Sequence, residues 1–93
     1  MQNDRVLFIN REKNTQTLLS LGLTLNDVYR ELLNLEVNDY YFGPEGDRDG
    51  SQGSVWAFLH PITGCLIYIK IKIFYSDDNT EWLKVLSYHE SEQ

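Results

Sequence analysis

The sequence predicts an α+β domain: a mostly antiparallel sheet with two helices on one face, in the chain order strand, helix, helix, strand, strand, strand. Three observations carry that prediction. Leucines recur at helical spacing between residues 12 and 35, isoleucines alternate with other residues from Cys65 to Phe74, and a Pro61-Ile62-Thr63-Gly64 turn separates two segments of strand composition. With 93 residues, 42% of them hydrophobic, the chain has material for one core and hence one domain over residues 1–93.

Val6-Leu7-Phe8-Ile9 is a short run of β-branched and aromatic residues and reads as the first strand. The stretch from Glu12 to Leu21 opens polar and closes on leucines, and Gly22 stands where a left-handed C-terminal cap belongs, so a first helix ends there. Thr24 and Asp27 have the spacing of a capping box. Leu25, Val28, Leu32 and Leu35 then share one helical face, with Leu33 beside them and Asp27, Arg30, Glu31 and Asn34 opposite, which defines a second, amphipathic helix.

From Gly43 to Gly53 the chain holds four Gly, one Pro and four charged residues, the composition of a loop, either beside a substrate or forming a flap. Ser54 to His60 and Cys65 to Phe74 form a hairpin across the turn at 61–64. In the longer strand Ile67, Ile69, Ile71 and Ile73 face the core, while Leu66, Tyr68, Lys70, Lys72 and Phe74 face away. After the turn Ser76-Asp77-Asp78-Asn79, the segment Trp82 to His89 makes the last strand. Strict alternation puts Val85, Ser87 and His89 on one face and Lys84, Leu86 and Tyr88 on the other.

Composition narrows the function classes. Fourteen acids against eight Lys and Arg give a net charge of -6, which opposes broad affinity for nucleic acid and leaves room only for a local basic strip. A lone Cys65 cannot close an intrachain disulfide. The longest apolar run, Cys65 to Ile69, stops at Lys70, well short of the roughly 18 residues of a membrane span, and residues 1–9 lack the pattern of a secretory signal. A cytoplasmic protein with no membrane association, no structural metal and no cofactor is expected. The glycine-rich stretch has no Lys-Ser/Thr pair and so is not a phosphate-binding P-loop.

The chemistry concentrates on one strand face. Tyr68, Lys70 and Lys72, beside a strand ending in Ser87-Tyr88-His89, offer a phenol, two ammoniums and an imidazole. A ribonuclease that works without metal needs such a set: a base for the 2′-hydroxyl, cations for the charged phosphorane, and an acid for the leaving 5′-oxygen. Lysines on an outward strand face also occur simply as solvated residues, and Trp56, Phe58 and Tyr88 could stack bases, although half-buried strand aromatics are more often packing residues.

Five segments taken together, Leu21-Gly22-Leu23-Thr24, Asp39-Tyr40-Tyr41-Phe42-Gly43-Pro44, Val55-Trp56-Ala57-Phe58, Ile67-Tyr68-Ile69-Lys70-Ile71 and Leu86-Ser87-Tyr88-His89, resemble the MqsR-like toxins of bacterial type II toxin–antitoxin systems. The resemblance spans nearly the whole chain. It implies a RelE-like toxin fold and an endoribonuclease, an mRNA interferase that cuts RNA without a metal and is silenced by a cognate antitoxin. Carried over by position, the family's strand tyrosine falls on Tyr68, its lysine on Lys70 and the basic residue closing the last strand on His89. A family lysine falls on Phe42 and a family glutamine on Ala57, so two polar groups are replaced. The expected site is therefore catalytic Tyr68, Lys70 and His89, with Lys72, Arg48 and Trp56 holding RNA. Expected partners are RNA and the antitoxin protein, in a homo-oligomer or a toxin–antitoxin heterocomplex. The competing expectation is a non-catalytic protein-interaction module or a catalytically degenerate toxin relative.

Overall fold

Five strands form one sheet in the order β1-β5-β4-β3-β2 in a computed structural model that describes residues 5–48 and 50–91. They are β1 (Val6–Phe8), β2 (Tyr40–Gly46), β3 (Ser54–Ile62), β4 (Cys65–Tyr75) and β5 (Glu81–Glu90), with α1 (Glu12–Leu21), α2 (Leu25–Leu33) and a 3-10 turn (Val37–Asp39) between the first two. Every neighbouring pair is antiparallel except β1 and β5, which run parallel. The α+β class and the helix pair are as the sequence predicts.

Both helices owe their ends to local chemistry. Gly22 closes α1 in the left-handed conformation at φ 67°. At the start of α2 the Thr24 hydroxyl accepts from the Asp27 N–H while the Asp27 carboxylate accepts from the Thr24 N–H, a reciprocal cap worth about 1 kcal/mol. Val28 of α2 is fully buried, and Leu18, Leu21 and Leu32 pack from the helices onto Ile67, Ile69, Ile71, Leu83 and Val85. That layer is the core, and it covers one face of the sheet. Among the described residues no helix is long and apolar enough to cross a membrane.

Two features depart from the sequence reading. The first is a fifth strand: Tyr40–Gly46 pairs with β3, although its second half has loop composition. It lies at the sheet edge, where Pro44 costs no ladder bond that matters and the register shifts twice along the strand. Gly43 is required there, because a Cβ would stand 2.6 Å from the Val55 carbonyl oxygen and 2.9 Å from the Trp56 Cα, at a φ of 120°.

The second is a bulge in β5. Lys70 faces Ser87 but Ile71 faces Val85, so Leu86 is an extra residue and the alternation changes phase across it. Val85 and Tyr88 both enter the core, and Lys84, Ser87 and His89 share the opposite face, which corrects the strict alternation expected for this strand. Asn14, 1% exposed, supports the irregularity from α1. Its amide nitrogen donates to the Ile9 and Leu86 carbonyls at 3.0 and 3.1 Å, and its oxygen accepts the Tyr88 N–H at 2.9 Å. One side chain thus satisfies the carbonyl of the bulge residue and an N–H two residues further on, where the ladder is interrupted.

Candidate functional site

The face of the sheet turned away from the helices carries a cleft of about 570 Å³. Arg11, Arg48, Lys70, Lys72 and Lys84 all line it, five of the eight Lys and Arg in the chain, accompanied by Asp47 and Ser51. They arrive from four pieces of backbone. Arg11 follows β1, Arg48 lies in the connection after β2, Lys70 and Lys72 alternate along β4, and Lys84 stands opposite Lys72 on β5. Concentrating this many cations in an acidic chain gives a local field opposite in sign to the total charge.

The cations are not equivalent. Lys72 is 4% exposed, and its ammonium donates to the Asp47 carboxylate at 2.8 Å and to the Ser51 hydroxyl. Lys84 lies 5.2 Å from the centre of the Phe74 ring. Lys70, Arg48 and Arg11 make no ion pair or side-chain hydrogen bond among the described residues, so their charge is available to a ligand.

One row beyond Lys70, an aromatic group adjoins the cleft. Tyr68 faces His89 across the β4–β5 ladder, their ring centres 5.5 Å apart, and Tyr41 meets Tyr68 edge-on at 6.3 Å. Burial pushes the Tyr68 phenol above its ordinary range, Tyr41 adds to the rise, and nearby Arg48 opposes it. Tyr68 is therefore a neutral hydrogen-bond donor at physiological pH. The His89 Nδ1 donates to the Glu90 carbonyl at 3.1 Å. A carbonyl only accepts, so Nδ1 carries the proton and Nε2 is the nitrogen left to take one up.

Of the residues expected from the sequence, Tyr68, Lys70, His89 and Arg48 come together on this face. Lys72 reaches the cleft but its charge is committed to Asp47. Trp56 is on the opposite face: it pairs with Ile71, packs on the core, and lines a separate hollow with Pro44, Gly53 and Tyr75. Phe42 and Ala57, the two positions that depart from the toxin pattern, are cross-strand partners, and with Lys70 and Ser87 they form one row across four strands. Sequence reasoning missed Arg11 and Lys84. Arg11 sits in a link with no periodic signal, and the bulge at Leu86 hid the fact that Lys84 and His89 share a face.

The other histidine serves the fold. His60, 8% exposed, is held by Asp39 at Nδ1 and Glu31 at Nε2, each at 2.8 Å, tying β3 to α2 and the 3-10 turn on the helix side. Burial works to lower its pKa, but the hydrogen bonds to Glu31 and Asp39 and the charges of both carboxylates together outweigh it and the net shift is upward. Among the described residues no group of three or more His, Cys, Asp or Glu side chains is arranged to hold a metal ion.

Compared with known protein families, curated proteins and solved structures, the chain matches none.

Proposed function

We propose that the chain is an endoribonuclease that binds RNA across the open face of its sheet and cuts it by 2′-hydroxyl attack. The observation that carries this reading is the gathering of five cations in one cleft of a chain whose net charge is -6. Folding needs no such gathering, and a phosphate backbone rewards it. In the reaction the 2′-hydroxyl gives its proton to His89 Nε2 and its oxygen bonds to phosphorus. The bond from phosphorus to the 5′-oxygen breaks, and the protonated imidazole returns a proton to that oxygen. The products are a 2′,3′-cyclic phosphate and a 5′-hydroxyl. Lys70 and Arg48 stabilise the charge on the phosphorane, and the Tyr68 phenol donates to a non-bridging oxygen.

The segments resembling MqsR-like toxins support extending this to a cytoplasmic mRNA interferase of RelE-like fold held inactive by an antitoxin protein. A second reading rests on the Phe42–Ala57 pair, which puts two apolar side chains in the same row as Lys70: a degenerate relative that still binds RNA but no longer cuts it.

The test incubates the purified protein with a structured RNA in EDTA beside His89→Ala, and measures cleavage, end chemistry and binding. We expect cyclic-phosphate ends from the wild type and a rate at least about 100-fold lower from the variant. RNA bound but left whole by both proteins would favour the degenerate relative. RNA neither bound nor cut would remove the reading.

A further inference from the structure

We propose that Lys72 and Asp47 are positioning residues, whose part-buried ion pair fixes the connection between β2 and β3 so that the Arg48 side chain stands in the cleft. This rests on the RNA reading above and assigns Lys72 a different part from the phosphate contact its strand position suggests.

A lysine on the outward face of a strand ordinarily extends its ammonium into water. Lys72 does the opposite: it is 4% exposed, and its Nζ bonds Asp47 at 2.8 Å and also the Ser51 hydroxyl. The same connection is seated on β4 at a second point. Gly53 lies so close that a Cβ would come within 2.8 Å of the Ile73 carbonyl oxygen and 2.9 Å of the Lys72 Cε, at a φ of 125°. Between these attachments the Gly50 N–H donates to the Asp47 carbonyl at 3.0 Å and closes a turn. Arg48 follows the pinned Asp47 directly and lines the cleft.

The sign of Asp47 makes the point. A carboxylate in a phosphate-binding cleft repels its ligand, so on charge alone its removal improves binding. If instead the carboxylate holds Arg48 in place through Lys72, its removal weakens binding. The two roles predict opposite outcomes.

The experiment measures affinity for a single-stranded oligoribonucleotide at several salt concentrations for Asp47→Asn, Lys72→Met, Arg48→Ala and the Lys72→Met/Arg48→Ala double variant. Thermal unfolding checks that each is folded, and trypsin cleavage after Arg48 is followed without RNA. We expect Asp47→Asn and Lys72→Met each to weaken binding roughly five- to tenfold, as Arg48→Ala does. The double variant should lose less than about twofold more than Arg48→Ala, with a salt slope reduced by about 0.7, one phosphate contact rather than two. Trypsin should cut faster after Arg48 in Asp47→Asn and Lys72→Met than in the wild type.

Equal or tighter binding by Asp47→Asn would overturn the proposal, and so would losses that multiply in the double variant with twice the change in slope. If Lys72→Met does not fold, Asp47→Asn carries the test alone. If the wild type binds no RNA, the RNA reading fails and the trypsin arm still judges the pin, which falls if both variants are cut at the wild-type rate.

Discussion

On the helix-covered face His60 is gripped at both ring nitrogens by carboxylates, whereas on the open face His89 spends one nitrogen on a main-chain carbonyl and keeps the other unbonded among the described residues. The apolar residues divide in the same way. Ile67, Ile69 and Val85 are fully buried beneath the helices, while the opposite side of the same strands presents Lys70 and Lys84 to a cleft, with Tyr68 one row beyond Lys70. The polar groups on the covered face have partners within the fold, the buried Tyr88 hydroxyl being the exception among the described residues. Several on the open face do not, and that surplus of unspent charge and donor capacity distinguishes a surface suited to a ligand from one that merely folds.

The comparison breaks most visibly if a covered residue is cut back. Ile69→Ala leaves a void in the core and should cost about 3 kcal/mol of stability, read by urea denaturation. A smaller loss would mean that the helix layer closes over the gap. Next in size is His60→Gln, which breaks bonds to two carboxylates and should cost roughly 2 kcal/mol near pH 6. Because the folded pKa of His60 is raised above the ordinary 6.5, its contribution is fully present below pH 6.5 and is lost as pH rises through the folded value. The gap between wild type and variant should therefore narrow above pH 6.5, and a gap that widens there would contradict the assignment. The smallest stability effect belongs to the open face. Lys70→Met should leave the unfolding midpoint within about 0.5 kcal/mol of wild type, yet reduce the salt dependence of RNA binding by about 0.7 in slope.

These two faces were not equally legible in the sequence. The covered face announces itself, since Ile67 to Ile73 alternate and Val28 and Leu32 fall at helical spacing, both direct marks of burial. Gly22 and the Thr24–Asp27 cap could be read from local spacing for the same reason. On the open face, alternation placed Tyr68 and Lys70 but failed across Leu86, because a bulge changes phase with no compositional mark and depends on Asn14, 72 residues earlier in the chain. The edge strand β2 was hidden by glycine and proline, which an edge tolerates and a loop also favours. The burial of Lys72 had no signal at all, since it depends on a partner across a connection.

The parallel pairing of β1 with β5 also imposes an order of events in time. β1 leaves the ribosome well before β5, its sheet neighbour, and Asn14 waits for the main chain of Leu86 and Tyr88. Because Arg11 follows β1 and Lys84 belongs to β5, a chain still under synthesis possesses neither the closed sheet edge nor the assembled cleft. Whatever the cleft does, it begins only when β5 has emerged.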